Sequence, residues 1–201
     1  MTVLELMVKG GWIMVMIALC SIVGVWVYIE RLMLYRKLEM SATRLLETIR
    51  PMVSTGRIEE AQEKLGKIDT APARVVRTGL SVMLQGRDAT REALEGEASR
   101  QVHLLEDRTA ILATVAGIAP LLGFLGTVLG MIKAFQQIEN LGGNVNATVL
   151  AGGIWEAMVT TAAGLAVGIP AIVAYNHLSS KLRSVIADME SASNGLLNMT
   201  A

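Results

Sequence analysis

Three long apolar runs, separated by polar segments, dominate the pattern of the chain. The first run lies between Lys9 and Glu30, the second between Arg108 and Lys133, and the third covers about 148–175. A helix that crosses the hydrocarbon core of a membrane needs roughly 20 mostly apolar residues. Each run satisfies this requirement, so the pattern predicts three transmembrane helices.

The polar segment 31–108 shows helical periodicity, interrupted by glycine and proline, and no strand alternation. The first helix is predicted to leave the membrane and continue to Pro51. From Asp88, a favourable N-cap residue, a further helix is predicted to run without a break into the second span. The fold class is therefore an all-α membrane protein with three transmembrane helices, two of them extended into a cytoplasmic helical domain.

Lysine and arginine residues flank the spans unevenly. They cluster after the first span, before the second and after the third, whereas the link between spans two and three has Lys133 alone. The positive-inside rule places the segment 31–108 and the C-terminus in the cytoplasm, and the N-terminus on the other side of the membrane. The predicted segments are a terminal segment with span one at 1–30, a cytoplasmic insert at 31–108, span two at 109–135, a turn on the non-cytoplasmic side at 136–147, span three at 148–176 and an amphipathic cytoplasmic tail at 177–201.

Composition narrows the function class. Hydrophobic residues make up 52% of the chain, charged residues 18%, and the net charge is zero. This balance favours membrane lipid over nucleic acid as the surroundings. One cysteine and two histidines cannot form a metal cluster, and no nucleophile–base pair is recognisable. The chain is therefore predicted to be neither an enzyme nor a holder of a metal or cofactor.

Glu156 is the one carboxylate within the third apolar run. It lies about eight residues, or roughly 12 Å of helix, into the span. A carboxylate there costs about 2.5–3.5 kcal/mol on insertion scales, and such groups face a bundle interior or a water-filled cavity. We therefore interpret Glu156 as part of a proton pathway. The alternative is a carboxyl that only bonds a neighbouring helix.

Hydroxyl groups lie near this acid. Thr160 is four residues after Glu156 and shares its helix face, which makes it a secondary pathway candidate, whereas Thr161 points to a different side. Thr127 is a lone hydroxyl in span two. Any of these threonines could instead bond its own helix backbone.

Glycines recur in spans two and three at the spacing that lets helices approach closely, which predicts a packing role rather than chemistry. They are Gly123, Gly126, Gly130, Gly164 and Gly168.

The pattern "APLLGFLGTVLGMIKAF", followed by a polar turn and "GIWEAMVTTAAGLAVGIPAIVAYN", resembles the MotA/TolQ/ExbB proton channel family, with the closest similarity to its ExbB/TolQ branch. The order of one span, a long insert, two spans and a tail agrees with that family. Residue matching puts Glu156 at the family's span-three glutamate, Thr127 at its span-two threonine and Thr161 at its span-three threonine.

The resemblance implies a stator subunit of a proton-driven motor in the bacterial inner (cytoplasmic) membrane, with the N-terminus and the turn at 136–147 periplasmic and the C-terminus cytoplasmic. Members of this family form homopentamers around an ExbD/TolR-like dimer whose single spans carry an aspartate. Proton-motive force then drives work on a TonB/TolA-like effector in outer-membrane transport.

The sequence leaves three other functional hypotheses open. The machine could be a TolQ-like envelope-stability system or a gliding motor. It could use sodium, although a sodium site wants more fixed oxygen ligands than one acid and a few hydroxyls supply. It could also be a purely structural membrane scaffold, which the intramembrane acid disfavours.

Overall fold

The computed structural model describes residues 11–38, 41–140 and 147–199, and within these ranges every regular element is a helix. In chain order the elements are α1 (Gly11–Leu38), α2 (Ala42–Ser54), α3 (Ile58–Gly66), α4 (Ala71–Val82), a 3-10 turn (Met83–Gln85), α5 (Arg87–Glu106), α6 (Thr109–Asn140) and α7 (Ala147–Leu197). The predicted all-α fold class is confirmed.

Three helical stretches, which contain α1, α6 and α7, are long and apolar enough to cross a membrane. These helices leave large apolar side chains exposed. Burial of a side chain of this size contributes about 1.5–3 kcal/mol, so lipid or another protein surface is the environment that suits them. Examples on the three helices are Trp12, Ile22, Leu121, Phe124, Ile169 and Val173.

The chain divides into two compact units. The apolar unit consists of Met1–Ile29 with Ala110–Asn176, and the polar unit consists of Glu30–Thr109 with His177–Ala201. The core of the polar unit comes from α2 to α5 and the last part of α7, where apolar residues recur at helical spacing. Its fully buried side chains include Leu45, Ile49, Leu80, Leu94, Met189 and Leu196.

The boundary between α5 and α6 corrects the prediction of an unbroken helix. α5 ends at Glu106, and a turn at residues 107–108 precedes α6. The hydroxyl of the fully buried Tyr35 donates a 2.9 Å hydrogen bond to the Leu105 carbonyl and lies 2.8 Å from Thr109 Oγ1. A partner from α1 therefore takes a carbonyl that an unbroken helix would use internally.

Two predicted helix ends also differ from the structure. The first helix does not continue unbroken to Pro51 as predicted: α1 ends at Leu38, and a separate helix α2 runs from Ala42 past Pro51 to Ser54. Ser41, a residue type favoured at helix N-caps, has an extended backbone and starts α2. Gly86, at φ +113°, is the N-cap of α5, and Asp88 lies inside the first turn. Only glycine adopts that backbone conformation without strain. The N-cap of α5 is therefore two residues earlier than the predicted one.

The first five residues of the predicted turn at 136–147 are helical. α6 continues to Asn140 and α7 begins at Ala147, while residues 141–146 lie outside the described ranges, as does the predicted N-terminal segment before Gly11. α7 is one helix of 51 residues that contains both the third span and the amphipathic tail. Helix α7 therefore continues beyond the third apolar run, as α1 continues beyond the first.

Candidate functional site

Helices α6 and α7 meet along a seam of small residues. A Cβ at Gly164 would lie 2.5 Å from the Ala119 carbonyl oxygen, and one at Gly123 would lie 2.9 Å from the Thr160 carbonyl oxygen. The backbones are therefore in contact, which only residues without side chains allow. We call this contact the glycine seam, and its members are Gly123, Gly126, Gly130, Gly153, Gly164 and Gly168.

Gly153 is a seam residue that the sequence analysis missed. A Cβ there would lie 2.6 Å from the Cβ of Ala134. The signal was present, because Gly153 and Ala157 continue the four-residue spacing of small residues toward the start of α7. The five glycines proposed from sequence as packing residues all lie on this contact.

The seam brings two of the three threonines against a facing helix. Thr161 Oγ1 donates a 3.0 Å hydrogen bond to the Gly123 carbonyl on α6. Thr160 is almost fully buried against Gly126, and its hydroxyl donates to its own helix, at the Ala157 carbonyl, over 2.7 Å. Thr161, rather than Thr160, therefore makes the hydrogen bond between helices.

Thr127 lies on α6 and is half-buried. Its hydroxyl donates a 2.6 Å hydrogen bond to the Phe124 carbonyl three residues earlier. This is the local backbone bond that threonine commonly makes in helices. Thr127 is not among the residues that line the cavity around Glu156.

Glu156 opens into a cavity of about 330 Å³ within the apolar unit. The side chain is about one-third exposed, at 32%. The cavity walls come from the start of α1, from α6 and from α7, and they combine glycines with a few polar groups. The lining residues include Trp12, Gly126, Gly130, Lys133, Gln136, Glu156 and Thr160.

Lys133 is the second residue that sequence reasoning missed as part of the site. Its Nζ lies 3.4 Å from Oε1 of Glu156, so the acid has a basic partner on the neighbouring helix. The sequence analysis used Lys133 only to orient the spans. No local pattern could have found the pair, because 23 residues separate its members and the α6–α7 packing brings them together.

The arrangement can bind and release a proton at one carboxyl. Glu156 offers the titratable group, Lys133 a compensating charge, and the cavity offers room for water beside them. Among the described residues no group of three histidine, cysteine, aspartate or glutamate side chains could hold a metal ion.

Comparison with known proteins assigns the chain to a family. The profile of the MotA/TolQ/ExbB proton channel family matches residues 67–191, which is more than half of the chain and contains α6, the seam and Glu156. The chain belongs to this family. Membership confirms the resemblance drawn from the motifs in spans two and three.

Named relatives lie in the ExbB/TolQ branch of the MotA/TolQ/ExbB family. A protein of Methanothermobacter thermautotrophicus described as an ExbB homolog is 27% identical over 94% of this chain and 67% of its own length. An ExbB-like protein of Synechocystis is 30% identical over 88% of this chain and 70% of its own length. The Tol-Pal system protein TolQ of Haemophilus influenzae is 41% identical over 49% of this chain, a stretch that is 43% of TolQ.

Proposed function

We propose that this family member is a proton-conducting stator subunit of an inner-membrane motor, and that Glu156 carries the proton. The observation that carries the proposal is the position of Glu156: a carboxyl on an apolar helix, opening into a cavity that also contains Lys133 and Thr160. Ionisable groups at such positions mark ion and proton pathways by default. Membership of a proton channel family supports the same assignment.

The proposed mechanism couples protonation of Glu156 to motion against a partner. A low dielectric favours the neutral carboxyl, and a positive neighbour favours the ionised one. A transmembrane potential supplies about 2.3 kcal/mol per charge per 100 mV. One proton per step is therefore enough to bias a small movement.

The proposed assembly follows the family. Five copies of the chain surround an ExbD/TolR-like dimer, and protons pass between its aspartate and Glu156 along a route lined by Thr127 and Thr161. The work passes to a TonB/TolA-like effector in outer-membrane transport. In this arrangement the N-terminus is periplasmic and the C-terminus cytoplasmic.

A TolQ-like role in envelope stability is the second candidate. The observation that favours it is the 41% identity to TolQ over 101 residues. Purifying the complex gently from its own membranes, and identifying the co-purifying chains by mass spectrometry, separates the two. A TonB-like effector supports outer-membrane transport, and a TolA-like effector supports the TolQ-like role.

Replacing Glu156 with glutamine tests the central residue. The complex with its co-purifying chains is reconstituted into vesicles, and proton uptake is measured under an imposed potential. Glu156→Gln keeps the size and polarity of the side chain and is expected to reduce flux to that of empty vesicles. Glu139→Gln is the matched control, because Glu139 is an exposed carboxyl near the end of α6 that does not line the cavity. Full flux in Glu156→Gln would contradict the proposal.

A further inference from the structure

Two neighbouring residues at the end of the first apolar run carry buried polar atoms without a partner. Arg31 on α1 is almost fully buried, at 5% exposure, and its Nε–H finds no acceptor among the described residues. The adjacent Glu30 has its Oε2 buried, with no donor to it within the same ranges. Because buried polar atoms are nearly always hydrogen-bonded, one free donor beside one free acceptor calls for an explanation.

The contacts that these two residues do make leave one positive charge without compensation. Nη1 of Arg31 donates to the Leu105 carbonyl over 3.5 Å, which is a long bond, and in the described part of the chain Arg31 has no ion pair. Oε1 of Glu30 lies 2.7 Å from Nη1 of Arg108, so another base neutralises this acid. Two positive charges and one negative charge therefore leave an excess of one positive charge, and burying a guanidinium without an anion is costly.

The position of Glu30, Arg31 and Arg108, which we call the interfacial cluster, points to the membrane surface. All three belong to the polar unit, where Glu30 directly follows the first apolar run and Arg108 directly precedes the second. A chain that leaves the hydrocarbon core at these positions enters the layer of lipid headgroups. The Glu30 and Arg108 side chains are 34% and 45% exposed, so a headgroup has access to the cluster through them.

We propose that the interfacial cluster binds the headgroup of a phospholipid. The phosphodiester is the acceptor for the guanidinium of Arg31, whose planar fork matches pairs of phosphate oxygens, and it supplies the missing negative charge. A hydroxyl or primary ammonium at the far end of the headgroup is the donor for Oε2 of Glu30. The long stem of Arg31 allows its buried guanidinium to turn toward the lipid. Basic pockets at this depth of a membrane protein are suited to headgroups.

This two-point match distinguishes between lipids. Phosphatidylethanolamine and phosphatidylglycerol carry both a phosphodiester and a distal donor. Phosphatidylcholine has the same phosphodiester, but its quaternary ammonium has no hydrogen to donate to Glu30. We therefore expect the first two lipids to bind in preference to phosphatidylcholine. The site does not depend on the proposed proton pathway, so either can fail without the other.

Native mass spectrometry of the full complex tests the proposal, after lipid is stripped in detergent and one lipid at a time is returned. The dissociation constant of phosphatidylethanolamine or phosphatidylglycerol is expected to be about tenfold lower than that of phosphatidylcholine, the effect of one hydrogen bond to a charged group. Arg31→Gln is expected to weaken both lipids by about tenfold, because it removes the charged donor. Arg36→Gln is the matched control, since Arg36 is an exposed arginine further along α1.

A second variant covers the case in which Arg31→Gln does not assemble, which the same spectra show. Arg31→Lys keeps the charge but loses the planar fork, so it is expected to bind both lipids with intermediate affinity. An affinity for both lipids equal to that of the unaltered complex, in either assembled variant, would overturn the role of Arg31. Equal affinities for phosphatidylcholine and phosphatidylethanolamine would overturn the match at Glu30.

Inorganic phosphate is the probe for the other source of the same chemistry. Phosphate alone should neither bind measurably nor displace the lipid, because it lacks the distal donor and the acyl chains. Displacement of the bound lipid by phosphate would overturn the lipid assignment and make the cluster a site for a free anion.

Discussion

The hydroxyl of Thr161 on α7 donates a 3.0 Å hydrogen bond to the main-chain carbonyl of Gly123 on α6. The bond crosses the glycine seam at a point where the two backbones are already in contact. It links the helix that carries Glu156 to the helix that carries Lys133.

Removing that hydroxyl should loosen the seam. Thr161→Val keeps the shape of the side chain but loses the donor, and we expect the free energy of unfolding to fall by about 1 kcal/mol. Thr161→Ser keeps the donor and should lose less. The measurement is thermal unfolding of the detergent-solubilised protein.

Thr114→Val is the control for Thr161. The exposed Thr114 hydroxyl bonds the Ala110 carbonyl of its own helix, so its removal should leave stability nearly unchanged. Equal losses in Thr161→Val and Thr114→Val would argue against a special role for the bond between helices. Proton uptake that falls in Thr161→Val and not in Thr161→Ser would support the proposed place of this hydroxyl on the proton route.

A methyl group at Gly126 should disrupt the seam more strongly. A Cβ there would collide with the buried Thr160 side chain, which is held by its bond to the Ala157 carbonyl. Overpacking of this kind typically costs about 1–3 kcal/mol. We expect Gly126→Ala to lower the unfolding midpoint of the purified protein accordingly.

Gly117→Ala provides the comparison on the same helix. Nothing lies within 4 Å of a Cβ at Gly117, and alanine favours a helix over glycine by up to about 1 kcal/mol. This variant should be neutral or slightly stabilising. If both alanine variants behaved alike, the close approach at Gly126 would not be a feature of the folded protein.

Tyr35→Phe should destabilise the junction of α5 and α6. The substitution removes the buried partner of the Thr109 hydroxyl and leaves the Leu105 carbonyl with only the longer, 3.5 Å bond from Arg31, at a cost of about 1–3 kcal/mol. Tyr175→Phe is the control, because Tyr175 is only half-buried and its hydroxyl makes no hydrogen bond within the described residues. Denaturant unfolding of both variants would test this, and equal midpoints would contradict it.

The same tyrosine predicts a pH dependence of stability. Burial raises the pKa of Tyr35 above its usual value of 10.0, against the opposing effect of the hydrogen bond with Thr109. The unfolded chain therefore ionises first, so above about pH 10 the folded chain binds more protons and stability falls as pH rises. Unfolding measured from pH 8 to 11 should show this fall, and Tyr35→Phe should reduce it. An identical slope in the variant would remove Tyr35 as the cause.

The sequence predicted the features that depend on local pattern. Long apolar runs marked the three spans, and four-residue spacing put Glu156 and Thr160 on one face, where both now line one cavity. The features it missed depend on contacts between distant parts of the chain. The Tyr35 hydroxyl bonds a carbonyl 70 residues away, where α5 ends, and Lys133 reaches Glu156 only after α6 and α7 pack.

The glycine seam has a mechanical consequence. Where backbone meets backbone in the seam, at Gly123 and Gly164, the contact has no rotamers with which to adapt, so a change in spacing between the two helices has no side-chain adjustment there to absorb it. Helices α6 and α7 are therefore suited to move as one rigid unit. Any displacement that accompanies the proposed protonation of Glu156 would then arise by tilting of both helices together rather than by sliding of one helix along the other.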